Sequence, residues 1–343
     1  MFINKIPKSY SEREGIVEQI SNWVFSGEQF LNIVTVPNNS SFVLTKAIAN
    51  FLSLNKKVLY ITNEKEESID LFRNLKRRAI PRNYGYLRNA AIEINKNLIV
   101  CNCENALRLR NKYDLVIYDD IRSLPIYNKY EIIDIMAKCS SDNGKLISYS
   151  IEGIFNKKRE INLPVMESAL PLVEPRVITT KIDLNTDIPY TIYEYLKWWL
   201  KLEKRVVIYV PDEESVTNVC NYISKYCKGL ANNIISYYKS ERDEKPLLTF
   251  NKYNKGILVT NDLKEKLRGV YRGREVNEMI FFANNSLFDY RKLAYLCGEE
   301  AINNMKSKEI IFVANEETEH MDRAKNIIRN FNKEAWEMGL LNI

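Results

Sequence analysis

The sequence predicts an α/β chain of two tandem halves, each built on a mostly parallel sheet. Three observations carry this expectation. The chain has 343 residues, and domains usually run to roughly 100–200 residues, so two fit. Short apolar runs alternate with stretches of helical periodicity, the pattern of strands joined by crossover helices. Runs such as Leu115–Tyr118 are apolar throughout, as strands buried on both faces must be.

In the first half, Asn32–Pro37 is a strand candidate and Phe42–Leu54 a helix. Lys57–Thr62 is a second strand. Lys65–Arg78 is helical, with Ile69, Leu71, Phe72 and Leu75 on one side. Asn97–Cys101, Asp114–Tyr118 and Lys145–Tyr149 are further strands, and the middle one runs straight into Asp119 and Asp120. Asn162–Thr186 carries three prolines and little periodicity, and reads as a linker or an extended crossing segment. The second half repeats the alternation. Pro189–Glu203 is an aromatic-rich helix, Arg205–Val210 a strand and Glu213–Lys228 a helix. Asn233–Tyr238, Gly256–Thr260, Glu278–Phe282 and Glu309–Val313 are strands, and Thr318–Trp336 is a closing helix. The expected domains are 1–175 and 176–343.

Composition narrows the function. Hydrophobic residues make up 45% and charged residues 27%, ordinary values for a soluble globular chain. A net charge of +6 permits a polyanionic partner without requiring one. The six cysteines form no Cys-x-x-Cys pair, and His320 is the single histidine, so no zinc site is expected. Scattered thiols in a chain of this size read as reduced and intracellular. No signal peptide or membrane-length apolar run is apparent, which points to the cytoplasm, with the inner membrane face reached only through partners. The 11 glycines are roughly 3% of the chain against a usual value of about 7%. Phosphate-cradling loops use glycine to bring backbone N–H groups close to the ligand, so this chain has few places to build one.

A strand, a loop, a helix and a later strand ending in two carboxylates is the element order of a P-loop NTPase half. Any doubly wound domain whose strand happens to end in Asp-Asp would look the same. The local sequences add weight. Tyr113–Pro125 (YDLVIYDDIRSLP) resembles motif II of the ComFA late-competence family, helicase-like ATPases of DNA uptake, where the pattern is close to FDLLIIDEVDAFP. Leu107–Leu109 falls at the family's LLRF run, and Leu163–Pro175 resembles its proline-containing segment after motif III. Gly256–Val270 (GILVTNDLKEKLRGV) resembles motif V, and Phe288–Gly298 (FDYRKLAYLCG) matches the spacing of a later segment. Glu309–Leu340 resembles the C-terminal helix, ending on Asn332, Ala335, Gly339 and Leu340. The resemblance spans nearly the whole chain in order. It implies two tandem RecA-like domains, the core of a superfamily 2 helicase.

The departures fall on the chemistry. A Walker A loop needs glycines, a lysine on the β- and γ-phosphates and a Ser/Thr on magnesium. Here the stretch reads Thr35 to Phe42 (TVPNNSSF), with Ser41 at the lysine position and Phe42 at the Ser/Thr position. The cofactor-loop candidates Asn38, Asn39, Ser40 and Ser41 keep structural uses: the asparagines tolerate left-handed backbone and Ser40 can cap a helix. Asp119 could still bind magnesium, but Asp120 is one methylene shorter than the Glu that orients water. Arg122 replaces the family's second Asp, and Ser148-Tyr149-Ser150 stands for Ser-Ala-Thr. Motif VI arginines, worth roughly a thousand- to hundred-thousand-fold in rate, are replaced by Glu299 and Ile302. Asn63-Glu64 and Asn102 to Asn105 replace the segments that touch the DNA backbone, and the family's zinc module is absent.

Basic groups remain. Arg73, Lys76, Arg77, Arg78, Arg82 and Arg88 cluster around Tyr84 and Tyr86, while Arg268, Arg272 and Arg274 follow motif V. Cations beside aromatics suit single-stranded DNA, although a solvated helix face has the same composition. Trp198 and Trp199 sit side by side on a helix that should pack one of them, and Asp212 to Ser215 should start a helix. Three functions fit: a non-catalytic helicase-like scaffold of DNA uptake or processing, a divergent DNA-stimulated ATPase using Asp119 and Asp120 with a recruited cationic residue such as Lys46 or an arginine in trans, and a protein-interaction module. Single-stranded DNA and competence or DNA-processing proteins are the expected partners; ATP with magnesium is a cofactor only for the second function.

Overall fold

The computed structural model describes residues 8–80, 83–89, 95–156, 158–164, 169–230, 233–263, 267, 276–298 and 308–341. The chain divides into two compact units, Met1–Pro171 with Phe331–Ile343, and Leu172–Asn330.

In the first unit, α1 (Lys8–Val24) leads to β1 (Phe30–Thr35), a 3-10 turn (Ser41–Leu44), α2 (Thr45–Ser53) and β2 (Val58–Thr62). A second 3-10 turn (Glu66–Ser68) precedes α3 (Asp70–Arg77), β3 (Tyr84–Tyr86), β4 (Leu98–Cys101), α4 (Cys103–Arg108), β5 (Tyr113–Asp119), α5 (Lys129–Cys139), β6 (Ser140–Ser150) and β7 (Arg159–Leu163). The seven strands lie in the order β3-β4-β2-β5-β6-β1-β7, and every pairing is parallel. Every residue of β2 is buried, as in a strand covered on both faces. The cluster of Leu59, Ile61, Val116, Tyr118, Ile132, Ile135 and Met136 packs α5 on the sheet. Asn128 starts α5 with a capping box: its side chain accepts from the N–H of Glu131, and Glu131 accepts from the N–H of Asn128.

The second unit runs through β8 (Arg176–Thr179), α6 (Tyr190–Lys201), β9 (Arg205–Tyr209), α7 (Glu213–Cys227), β10 (Ile234–Tyr237), α8 (Lys245–Lys252), β11 (Gly256–Thr260), β12 (Val276–Phe281), α9 (Tyr290–Cys297), β13 (Ile310–Ala314) and the start of α10 (Glu319–Glu337), whose end from Phe331 counts with the first unit. Its sheet, in the order β10-β11-β9-β12-β13-β8, is also parallel throughout. Asp212 accepts from the N–H of Ser215 at 2.8 Å and starts α7, as the acidic run predicts. Trp199 is fully buried, whereas Trp198 stays 49% exposed. Gly339 has φ 64°, and the N–H of Leu340 bonds back to the carbonyl of Ala335 at 2.9 Å. This left-handed stop explains a glycine at that position.

Three local expectations need correction. The helix expected from Phe42 begins as a 3-10 turn, capped by the Ser40 side chain, and becomes α-helical only at Thr45. The helix expected over Lys65–Arg78 is interrupted at Ile69 (φ −56°, ψ 113°). The proline-bearing stretch 162–186 is more than a linker. It contains the end of β7 and all of β8, edge strands paired to β1 and β13. Edge positions tolerate sequences with weak strand signals because one side of the ladder needs no partner. Among the described residues, no helix is long and apolar enough to cross a membrane.

Candidate functional site

Parallel strands bring their carboxyl ends to one edge of the first sheet, where ligands of open α/β sheets bind. Four segments meet there: the loop after β1 (Val36–Ser40), Asn63 and Glu64 after β2, Asp119 to Arg122 at the end of β5, and Tyr149 near the end of β6. The side chain of Thr35 anchors the base of the loop by donating to the carbonyl of Leu163 at 2.8 Å.

The loop is tied down residue by residue. Asn38 has φ 65°, the left-handed geometry that asparagine tolerates. Its N–H donates to the carbonyl of Ile121 at 2.8 Å, and Arg122 donates to its carbonyl at 3.1 Å. The N–H of Asn39 bonds Val36 at 3.3 Å. The N–H of Ser40 bonds the side chain of Asn39 at 2.9 Å. The N–H of Ser41 bonds Asp70 at 2.8 Å, and that of Phe42 bonds the Ser40 hydroxyl at 3.3 Å. Thus all five N–H groups from Asn38 through Phe42 donate inside the protein. Tyr149 donates to the Ser40 carbonyl at 2.7 Å. Arg13 from α1 reaches the loop and donates to the Asn39 side chain at 3.2 Å.

Two aspartates dominate the electrostatics. Asp70, first residue of α3, accepts from both serine hydroxyls and from Asn74, as well as from the Ser41 N–H. Burial would raise its carboxyl, but Arg122 and the Ser40 and Ser41 donors hold it below its ordinary value. Asp119 is fully buried. It takes the N–H of Ile121 at 2.9 Å and is bonded to the hydroxyl of Tyr60. Burial, reinforced by the charge of Glu64, raises its carboxyl to about 8. Burial beside Asp119 also pushes the Tyr60 phenol well up. Glu64 is paired with Arg122 at 3.3 Å, both side chains largely buried. Asp120 is buried as well.

The loop candidates Asn38, Asn39, Ser40 and Ser41 therefore converge with Asp119 and Asp120 on one edge. Among the described residues, no group of three or more His, Cys, Asp or Glu is placed to hold a metal. Lys46 faces elsewhere and pairs with Glu18 of α1. Of the basic candidates, Lys76 and Arg77 are exposed on α3. Arg73 is also exposed but pairs with Asp70 at 3.1 Å. Arg78 lies over the Phe42 ring at 4.3 Å, Arg88 pairs with Glu66 at 2.6 Å, and Tyr84 stacks on Phe72 at 5.2 Å. Arg82, Arg268, Arg272 and Arg274, like Glu299 and Ile302, lie outside the described residues.

Sequence reasoning missed Arg13, Tyr60, Asp70 and Asn74. Asp70 and Asn74 carried a faint signal. They are polar residues one helical turn apart beside the apolar Leu71 and Leu75, so part of the buried face of α3 is polar. Nothing local marked Arg13.

No protein-family model matches the chain, and no curated protein matches it by sequence. Solved structures do match. RecG bound to a three-way DNA junction superposes with a TM-score of 0.53 at 14% identity, over 98% of this chain and 47% of RecG. The E. coli DExH-box NTPase HrpB gives 0.51 at 9% identity, over 94% of this chain and 43% of that one. The helicase MrfA, bound to DNA and AMPPNP, gives 0.50 at 11% identity, over 96% and 53%. The chain spans about half the length of these three proteins. Its fold is the helicase-like one, two RecA-like α/β units with parallel sheets.

Proposed function

We propose that this chain is a non-catalytic, helicase-like protein of DNA uptake or DNA processing that binds single-stranded DNA and partner proteins in the cytoplasm. The observation that carries this reading is the internal use of every backbone N–H from Asn38 through Phe42. A phosphate-cradling loop works by turning such donors outward to its ligand, and none is left here. Two further features agree. Ser41 and Phe42 stand where the resemblance implies lysine and Ser/Thr: Ser41 brings no charge and donates its hydroxyl to Asp70, and Phe42 has no hydroxyl for magnesium. Burial and the charge of Glu64 raise the Asp119 carboxyl, which works against the charged form that a hard cation takes as ligand.

The nucleic-acid part of the reading rests on the exposed Arg73, Lys76 and Arg77 of α3 and the net charge of +6. The DNA in the RecG and MrfA structures supports it by analogy. The place in DNA uptake rests on the motif resemblance to the late-competence family.

The direct test is ATP hydrolysis by the purified chain, with and without saturating single-stranded DNA. No turnover above the buffer blank is expected in either condition. DNA-stimulated turnover that Asp119→Ala abolishes would sink the reading in favour of a divergent ATPase. For DNA, anisotropy of a labelled single strand should weaken steeply with salt. The double variant Lys76→Gln/Arg77→Gln should lower that salt slope by roughly 1–2. Absence of any salt-sensitive binding would leave the protein-interaction module.

A further inference from the structure

DNA binding reaches Asp70 only through its ion pair with Arg73, yet the carboxylate accepts four further hydrogen bonds. It opens α3, far in sequence from the loop it touches. Its Oδ2 alone accepts from the Ser40 hydroxyl at 2.8 Å, the Ser41 N–H at 2.8 Å, the Ser41 hydroxyl at 3.0 Å and the Asn74 amide at 2.8 Å. Its Oδ1 takes the guanidinium of Arg73 at 3.1 Å. The turn that follows does not need this carboxylate as its cap, because Ser40 already serves, accepting from the N–H of Phe42. Four donors on one anionic oxygen, including a backbone N–H and two hydroxyls, form the kind of cradle that a phosphate oxygen finds at such a loop.

We propose that Asp70 is the resident anion of the loop after β1: its carboxylate holds the seat that an external phosphate would take, and so closes the loop to phosphate. The inference rests on the non-catalytic reading above and adds a cause to it. Loss of a lysine would weaken phosphate binding while leaving the cradle's donors free. A carboxylate seated on those donors removes them and also repels an incoming anion at short range. The chain thus carries its own occupant.

The test uses the full chain and inorganic pyrophosphate, a probe with no base or sugar, so that only the cradle is read. Binding is followed by titration calorimetry and by hydrogen–deuterium exchange of the segment 36–44. The wild type should show neither heat nor protection. Asp70→Ala should bind pyrophosphate at least about tenfold more tightly than the wild type, with new protection confined to that segment. Asp70→Asn, which keeps the shape and loses the charge, should fall between them. Asn74→Ala leaves the carboxylate in place but removes one donor that holds it, and should give a weaker response of the same kind. If Asp70→Ala fails to fold, Asn74→Ala carries the test. A folded Asp70→Ala or Asn74→Ala with no response would overturn the proposal, and so would a wild type that binds pyrophosphate as well as the variants do. ATP turnover measured on the same wild-type sample separates the two failures. Turnover sinks the non-catalytic reading. No turnover together with unresponsive variants sinks only the role of Asp70.

Discussion

Asp70 and Asp119 lie along the same edge of the first sheet and are both buried, yet their surroundings drive them to opposite charge states. Asp70 faces hydroxyls, an amide, an N–H and the charge of Arg122, all of which favour the carboxylate, and its proton affinity is lowered. Asp119 is cut off from solvent and lies near the charge of Glu64, and these outweigh the Tyr60 and Ile121 donors, so its carboxyl is raised to about 8. One residue type has become a fixed anion in the first case and a neutral hydrogen-bonding acid in the second. The lesson is that an acidic residue at the end of a strand does not announce a metal site. Its neighbours decide whether a charge exists there to hold one.

The comparison predicts asymmetric costs. Asp70→Ala should have the largest effect, lowering stability by about 3–5 kcal/mol, because it strands buried donors and the charges arranged around an anion. A urea midpoint within error of the wild type would refute its structural weight. The pH sign follows from the lowered value. Its stabilisation is present above the unfolded carboxyl range, near 4, and is lost as pH falls through the lower folded value. Asp70→Ala should therefore flatten the acid limb of the stability curve. Arg122→Met comes next. It removes the buried Glu64 ion pair and the bond to the Asn38 carbonyl, at a cost of about 2–4 kcal/mol that a urea midpoint would read.

Asp119 should respond in the opposite direction. A carboxyl whose folded value lies above its unfolded one binds its proton in the native state, so the native state is favoured below the unfolded range and loses that advantage as pH rises toward 8. Asp119→Asn mimics the neutral form. It should leave stability near pH 4 little changed, raise it at pH 8–9 by several kcal/mol, since each tenfold change in proton affinity is worth about 1.4 kcal/mol, and remove the slope between. Urea titrations at three pH values read this directly. A variant less stable than the wild type at pH 9 would mean that the folded surroundings favour the Asp119 carboxylate, the opposite of a raised value.

How far the sequence reaches can be judged from the same residues. The strands that end at this edge were legible because continuous apolar runs such as Leu115–Tyr118 have few other uses. The caps of α5 and α7 obey local rules, and Asp212 could be read in advance. Ser41 and Phe42 could be seen to lack lysine and hydroxyl chemistry. What stayed hidden is the seal itself. The Ser41–Asp70 and Arg13–Asn39 contacts join residues 29 and 26 positions apart, and no periodicity encodes such a meeting. The edge strands β7 and β8 were hidden for a different reason. Their sequences are mixed and flanked by proline, and the sheet rather than local propensity makes them strands.

The smallest expected effect concerns Lys46, a residue that the divergent-ATPase reading recruits in place of the missing lysine. It sits on α2, just past the loop, but its ammonium is drawn to Glu18 on α1, a pair with substantial solvent exposure on both sides. Exposed ion pairs typically contribute about 0–1 kcal/mol, so Lys46→Ala should shift the urea midpoint barely or not at all. It should also leave phosphate affinity untouched, because the ammonium is engaged by α1 while the cradle's donors are held by Asp70. Lys46 and Asp70 are therefore the informative pair to vary together. If Lys46→Ala abolishes the pyrophosphate binding gained by Asp70→Ala, the lysine swings into the emptied seat, and the loop retains a cation that the carboxylate had been keeping idle. If the double variant binds as well as Asp70→Ala alone, the cradle acts through N–H and hydroxyl groups only, and no recruited lysine stands behind it.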